Sequence, residues 1–335
     1  MKKGKFLVAT ATVLLLTAVF VTFPVVNGFA EPAKPITLNF VSFIALSNFE
    51  FTEFKRLFID KVNEKGKGEL NINVRGGPET VAAFDLGVAV QKGTVDMACI
   101  PTAFFESLVP GADATRLSRL TEEEERESGA NDFIQEMYKK GGMYYLGRQQ
   151  PADQDFFYMF LNKRVEKPED FVGLKLGGST AFLAHFKGLG ATPVTLPMPE
   201  YYPAMERGVV DGISTSLHMW AGYGGHEVTK YMIDHPFYKN TVAVVVNLKA
   251  WNGLPSHLQK LIIESMREAQ RVWPTWAAQA WKKERQKMRD GGVEIITFSP
   301  DVAKWFVETA FEEAWKDEEK RFGEVIPKLK KLITK

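Results

Sequence analysis

Lys92-Gly93-Thr94-Val95-Asp96-Met97-Ala98-Cys99-Ile100 and, later in the chain, Arg207-Gly208-Val209-Val210-Asp211-Gly212-Ile213-Ser214-Thr215 are two versions of one pattern. Each follows a helix-compatible stretch, residues 80–91 and 200–206, and each ends in a strand-like run. A glycine just past a helix end takes the left-handed conformation that stops the helix. The residues after it then launch a strand. Two such units predict two α/β lobes built alike. Lobes joined by crossing strands leave a cleft, and a cleft is a place for a ligand.

The rest of the chain extends this plan. Residues 36–43 alternate as a strand, Ser47-Asn48 offers an N-cap for a helix running to Asn63, and residues 70–74 form a period-two strand. Gly76-Gly77-Pro78 breaks it and Glu79 opens the next helix. Strand, helix, strand, helix, strand is a doubly wound lobe. Residues 120–140 read as one helix on which Glu122 to Glu125 form a solvated face. Residues 143–147 and 156–161 read as strands, the crossing into the second lobe. Residues 174–176 are a strand, and Gly177-Gly178-Ser179-Thr180 connects it to a helix over 181–189. Residues 191–195 form a short strand, and 241–248 a buried strand returning between the lobes. Residues 256–289 form a long helical segment, kinked or broken near Pro274. A strand at 293–298 and two helices follow. Trp273, Trp276, Trp281, Trp305 and Trp315 fall in these late helices, where core packing is their commonest use.

The 335 residues are 45% hydrophobic and 25% charged with net charge +1, ordinary for a globular protein of two domains and without the basic excess of a nucleic-acid binder. Lys2, Lys3 and Lys5 precede an apolar run from Phe6 to Phe23, and Gly28-Phe29-Ala30 supplies small residues for a signal peptidase. Residues 1–30 are therefore read as a secretory signal cleaved after Ala30. An uncleaved membrane anchor is the rival reading. No cysteine lies near the junction, which argues against a lipid anchor. The single cysteine, Cys99, can form no internal disulfide and is read as a small buried hydrophobe.

No motif for chemistry stands out. His226-Glu227 begins a zinc-helix pattern, but Lys230 stands where the second histidine is required. His185, His218, His226, His235 and His257 lack metal-ligand spacing. There is no G-x-S-x-G elbow and no phosphate loop. The expectation is no catalytic residue, no metal and no cofactor. Ligands of open α/β sheets bind outside the carboxyl ends of the strands. Those ends are Ser42 to Asn48, Pro101-Thr102, Gly177 to Thr180 and Thr215 to His218, mostly small or hydroxylated with apolar neighbours. The N–H groups at Gly177 to Thr180 suit an anion. The same glycines also suit a plain strand-to-helix turn capped by Ser179 or Thr180.

Five motifs in order span essentially all of the chain after the leader. They are Pro78-Glu79 through Lys92 to Ala98, Lys167-Pro168-Glu169-Asp170-Phe171-Val172-Gly173-Leu174-Lys175-Leu176, Leu189-Gly190-Ala191-Thr192-Pro193-Val194, Pro199-Glu200-Tyr201-Tyr202 to Gly208-Val209-Val210-Asp211-Gly212, and the late Trp251-Asn252-Gly253-Leu254-Pro255 with Gly291-Gly292-Val293. Together they resemble the DctP-type solute-binding proteins of tripartite ATP-independent periplasmic (TRAP) transporters. The resemblance implies an α/β, two-lobed periplasmic-binding-protein fold. Each lobe would be a doubly wound sheet with helices on both faces, with crossing strands and a long C-terminal linking helix. It assigns residues 31–150 to lobe 1 and 151–240 to lobe 2, each with part of 241–300, and packs 255–335 across both. It implies a periplasmic, monomeric protein that closes by hinge rotation and delivers its ligand to one small and one large membrane subunit.

The family's arginine after the G-L-K strand, which pairs with a ligand carboxylate, corresponds to Gly177 here. Its second arginine falls at Phe157 or, with a longer loop, at Arg148. The family asparagine falls at Thr215, the polar contact at Thr180 and the apolar residue before P-E-Y at Met198. Arg148, Arg75 and the N–H groups of Gly177 to Thr180 are the substitutes for the lost arginine, while Phe157, Phe182 and Trp220 make a more apolar pocket. Arg148 has a plain alternative as a bridge between surface carboxylates, and Phe157 as core. The candidate ligand-binding set is Phe43, Asn48, Glu79, Thr102, Arg148, Phe157, Gly177, Gly178, Ser179, Thr180, Met198, Thr215, His218 and Trp220. The expected ligand is a small organic acid with an apolar or aromatic part, a neutral solute remaining open. An enzyme using the same cleft and a ligand-sensing subunit of a membrane signalling system are the rival functions.

Overall fold

The period-two run at 70–74 is the edge strand of the first of two sheets in a computed structural model that describes Met1 and residues 34–150 and 156–334. The leader expected over residues 1–30 lies outside the described residues, apart from Met1. In chain order the strands are β1 (Ile36–Ser42), β2 (Leu70–Gly76), β3 (Met97–Pro101), β4 (Met143–Arg148), β5 (Phe157–Leu161), β6 (Lys175–Gly178), β7 (Thr192–Thr195), β8 (Gly212–Ser216), β9 (Tyr231–Ile233), β10 (Val242–Asn247) and β11 (Glu294–Ile296). The first sheet has the order β2-β1-β3-β10-β4 and the second β11-β9-β5-β8-β6-β7. In the first, β1 is parallel to β2 and β3, and β10 runs antiparallel to β3 and β4. In the second, β6 is parallel to β7 and β8, and β5 runs antiparallel to β8 and β9. Each lobe thus carries an antiparallel strand that begins just after the chain crosses from the other lobe. The all-valine centre of β10 is buried on both faces, as a strand between helical layers requires.

The duplicated pattern does the same work in both sheets. Gly93 ends the helix Leu86–Lys92 at φ 75°, and Gly208 follows the helix Tyr201–Glu206 at φ 65°. The aspartates of the pattern have matching tasks. Asp96 accepts from the Asn39 N–H at 2.8 Å, and Asp211 from the Lys175 N–H at 2.9 Å. Each carboxylate therefore ties the new strand to its parallel neighbour.

Several expectations change in detail. Residues 79–85 form turns instead of helix, and the helix begins only at Leu86. Glu79 accepts from the Gly77 N–H at 2.6 Å and holds the chain in a turn. The helix expected over 120–140 is two, Glu122–Glu127 and Ala130–Lys140, because Gly129 at φ 79° breaks the path. The helix Ser256–Asp290 runs through Pro274 unbroken. Its missing N–H removes one ladder bond, while burial of the flanking Trp273 and Ala277 holds the helix in place. The helix Leu217–Gly222 and strand β9 were not anticipated. Trp273 and Trp315 are buried in the core, with Trp276, Trp281 and Trp305 packed against it. Among the described residues no helix is long and apolar enough to cross a membrane.

Candidate functional site

The carboxyl ends of β1, β3, β6 and β8 converge on a cavity of about 100 Å3 between the two sheets. At about 30 Å3 of liquid volume per water, that is room for roughly three waters. The first lobe contributes Phe43, Glu50, Phe84, Thr102 and Phe104; the second contributes Phe157, Ser179, Phe182, Leu196, Met198, Tyr201, Thr215 and Met219. Local chemistry sets these positions. Ser42 Oγ accepts from the Ile44 N–H at 3.2 Å and turns the chain after β1. Asn48 caps the next helix, Phe49–Phe54, by accepting from the Glu50 N–H at 2.9 Å. At the end of β3, Thr102 Oγ1 donates to Asp113 at 2.7 Å and lies 2.6 Å from the Thr241 hydroxyl.

The walls are largely aromatic and apolar, and the charges on the lining are compensated within the protein. Arg116 is the only lysine or arginine among the described lining residues. It is buried and donates to Asp113 and Glu318, both at 2.6 Å. Glu106 joins this cluster, its carboxylate within 4.8 Å of those of Asp113 and Glu318. Burial, with Asp113 and Glu318 alongside, pushes Glu106 up to about 8 although Arg321 pairs with it. Arg116 and Arg321 pair with this trio and offset two of its three carboxylates. Glu50 is the other lining carboxylate. Gln150 Nε2 donates to it at 2.7 Å, and His218 of the second lobe pairs with it. His218 meets Phe49 edge-on at 5.8 Å and stacks on Trp281 at 4.8 Å.

Six sequence candidates line this cavity: Phe43, Thr102, Phe157, Ser179, Met198 and Thr215. The others lie elsewhere. Arg148 is buried outside the cavity lining in a bidentate pair with Glu125, at 2.8 and 3.0 Å. Glu125 is thus no part of a solvated face. Burial works to raise its pKa, but Arg148 overrides this and holds the carboxyl below the usual range. Gly177 is buried in β6, where a Cβ would lie 2.8 Å from Leu196 and 3.2 Å from Val210. Gly178 is closed off in the same way by Phe182 and Phe186. Thr180 and Glu79 are exposed, as is Arg75. Asn48 is spent on its helix cap. Trp220 packs into the second core, with Nε1 donating to Thr229 at 2.7 Å. His218 sits one layer behind the lining, against Glu50.

Sequence reasoning missed Glu50, Phe84, Phe104 and Arg116. The Asp113/Arg116 spacing, three residues apart, was a readable signal of an ion pair on one helical turn. Nothing local marked Phe84, which follows the unremarkable run Val81-Ala82-Ala83.

Comparison with known proteins adds to this picture. The family DctP, described as bacterial extracellular solute-binding protein, family 7, matches residues 40–321. The 2,3-diketo-L-gulonate-binding periplasmic protein YiaO of Escherichia coli is 26% identical over 250 residues, covering 72% of this chain and 75% of that protein. The fold is similar to that of a TRAP periplasmic solute binding protein from Desulfovibrio salexigens with bound orotic acid. The TM-score is 0.78 and the identity 18%, covering 89% of this chain and 97% of that one. It is also similar to DctP7 of Bordetella pertussis, an extracytoplasmic solute receptor binding pyroglutamic acid, with TM-score 0.75, 18% identity and coverage of 89% and 99%.

Proposed function

The chain belongs to the DctP family of bacterial extracellular solute-binding proteins, and on that premise we propose that its interlobe cavity captures a small organic acid with a sizeable apolar or aromatic part. It hands this solute to the small and large membrane subunits of a TRAP transporter. The protein binds and does not catalyse. We place it in the periplasm as a monomer, with lobes dividing near residue 150 and sharing residues 241–300.

One observation carries the ligand class: the position of the family arginine, Gly177, is packed shut by Leu196, Val210 and Ile213. A carboxylate in a dry cleft costs several kcal/mol unless it is paired or well hydrogen-bonded. Here the lining offers the hydroxyls of Ser179, Thr215 and Ser216. The apolar walls supply the rest. The named ligands of similar proteins, diketogulonate, orotic acid and pyroglutamic acid, support an acid. A neutral solute is the second reading, favoured by Glu50 and Asp113, whose carboxylates on the lining oppose an anion.

The test is mass spectrometry of compounds released from protein purified without dialysis, followed by binding assays with the compound and its amide. An unchanged acid that binds better than its amide supports the proposal. A better-binding amide selects the neutral reading, and a chemically converted compound overturns both.

A further inference from the structure

Phe84 is 63% exposed, an unusual placement for a phenylalanine, yet it forms part of the cavity lining. Its ring lies against Phe104, with centroids 4.3 Å apart and planes at 37°. Phe104 comes from the 3-10 turn Thr102–Phe104 that ends β3; Phe84 comes from the turns between β2 and the helix Leu86–Lys92. These two segments are clamped together just beyond the ring pair. Gly87 lies so close to Phe105 that a Cβ there would sit 2.5 Å from the Phe105 Cβ. The far end of the Phe84 segment is fixed by the Glu79 carboxylate on the Gly77 N–H. A braced turn therefore leaves a largely exposed aromatic ring on the lining of a cavity to which the second lobe contributes Leu196, Pro197 and Met198.

Core packing does not account for this ring, since most of its surface is wet. An aromatic ring braced on an apolar lining matches a flat guest in shape and in its quadrupole. We propose that the Phe84–Phe104 pair is the specificity-determining cap of the cavity, reading a flat, unsaturated or aromatic face on the solute. The solute's charge contributes less to selection, because Arg116 is already engaged by Asp113 and Glu318. This inference rests on the solute-binding reading above and sharpens its ligand class.

The probes are benzoate, cyclohexanecarboxylate and lactate, titrated calorimetrically into the full protein after removal of co-purified solute. The first two share a carboxylate and differ in ring flatness; the third is a small acid without a ring. The wild type is expected to favour benzoate. Phe84→Ala should weaken benzoate roughly five- to tenfold and lactate less than about twofold, and Phe84→Trp should restore benzoate. The thermal midpoint of Phe84→Ala should stay near that of the wild type, because the ring is mostly exposed. Equal losses for all three probes, no loss for benzoate, or a wild type that ignores benzoate at millimolar concentration overturns the proposal. A wild type that binds lactate and ignores benzoate sinks this inference alone. A protein that binds none of the probes and releases no solute sinks the solute-binding reading with it.

Discussion

The carboxylate of Glu50 and the imidazole Nε2 of His218 pair directly, although one belongs to the first lobe and the other to the second, and both are buried to within 2%. Gln150, on the crossing between the lobes, donates to the same carboxylate. Trp281 of the long helix stacks on the imidazole. One crossing between the lobes and the long helix thus meet at one point on the cavity wall. His218→Ala is expected to leave Glu50 buried without this partner and to cost about 3 kcal/mol. Urea denaturation measures the loss. Retention of co-purified solute should fall with it, since the cavity wall loses its brace. A variant as stable as the wild type would deny the pair any structural role.

Arg148 yields a contrasting prediction. Arg148→Ala removes the partner of buried Glu125 and should destabilise by about 3–5 kcal/mol. Because the side chain stands outside the cavity, the solute bound per folded protein should not change. Mass spectrometry of released solute, normalised to folded protein, separates the two effects. Loss of solute from protein that remains folded would return Arg148 to the binding site.

These two residues show where sequence reading succeeded and where it ran out. The repeated glycine and aspartate were legible because their work is local: a positive φ after a helix, and a strand start four residues on. The fold followed from them. Arg148 read as a substitute ligand anchor or a bridge between surface carboxylates, and its buried partner, Glu125, hid in a run of four glutamates. A run gives no sign of which member turns inward. His218 and Trp220 are two residues apart in the helix after β8, yet one braces the cavity and the other fills the second core. Only the unanticipated helix Leu217–Gly222 decides this. Phe84 gave no signal at all, since exposure of a single ring is a property of the assembled surface.

Gly177 tests whether the family anchor can be restored. Gly177→Ala puts a Cβ 2.8 Å from Leu196 and 3.2 Å from Val210. Overpacking of this kind costs about 1–3 kcal/mol. Gly177→Arg should be worse and should not improve the binding of any carboxylate, because the side chain has no path through that packing. Thermal unfolding and titration of the identified solute measure both. A folded Gly177→Arg protein with tighter acid binding would show that the pocket rearranges freely.

His185 makes acid stability a specific expectation. It is fully buried among Phe186, Phe237, Tyr238 and Phe306, and burial pushes its pKa from 6.5 down to about 3. The folded protein therefore holds the ring neutral where the unfolded chain would protonate it. The resulting stability is full above pH 6.5 and is lost as pH falls toward 3, by about 1.4 kcal/mol per pH unit once the unfolded ring is charged. His185→Leu keeps an apolar side chain of similar bulk and cannot take up that proton. Its unfolding free energy should fall less steeply than the wild type's between pH 6 and 4. Parallel curves across that window would mean that His185 is protonated in the folded state or that its pocket opens to water.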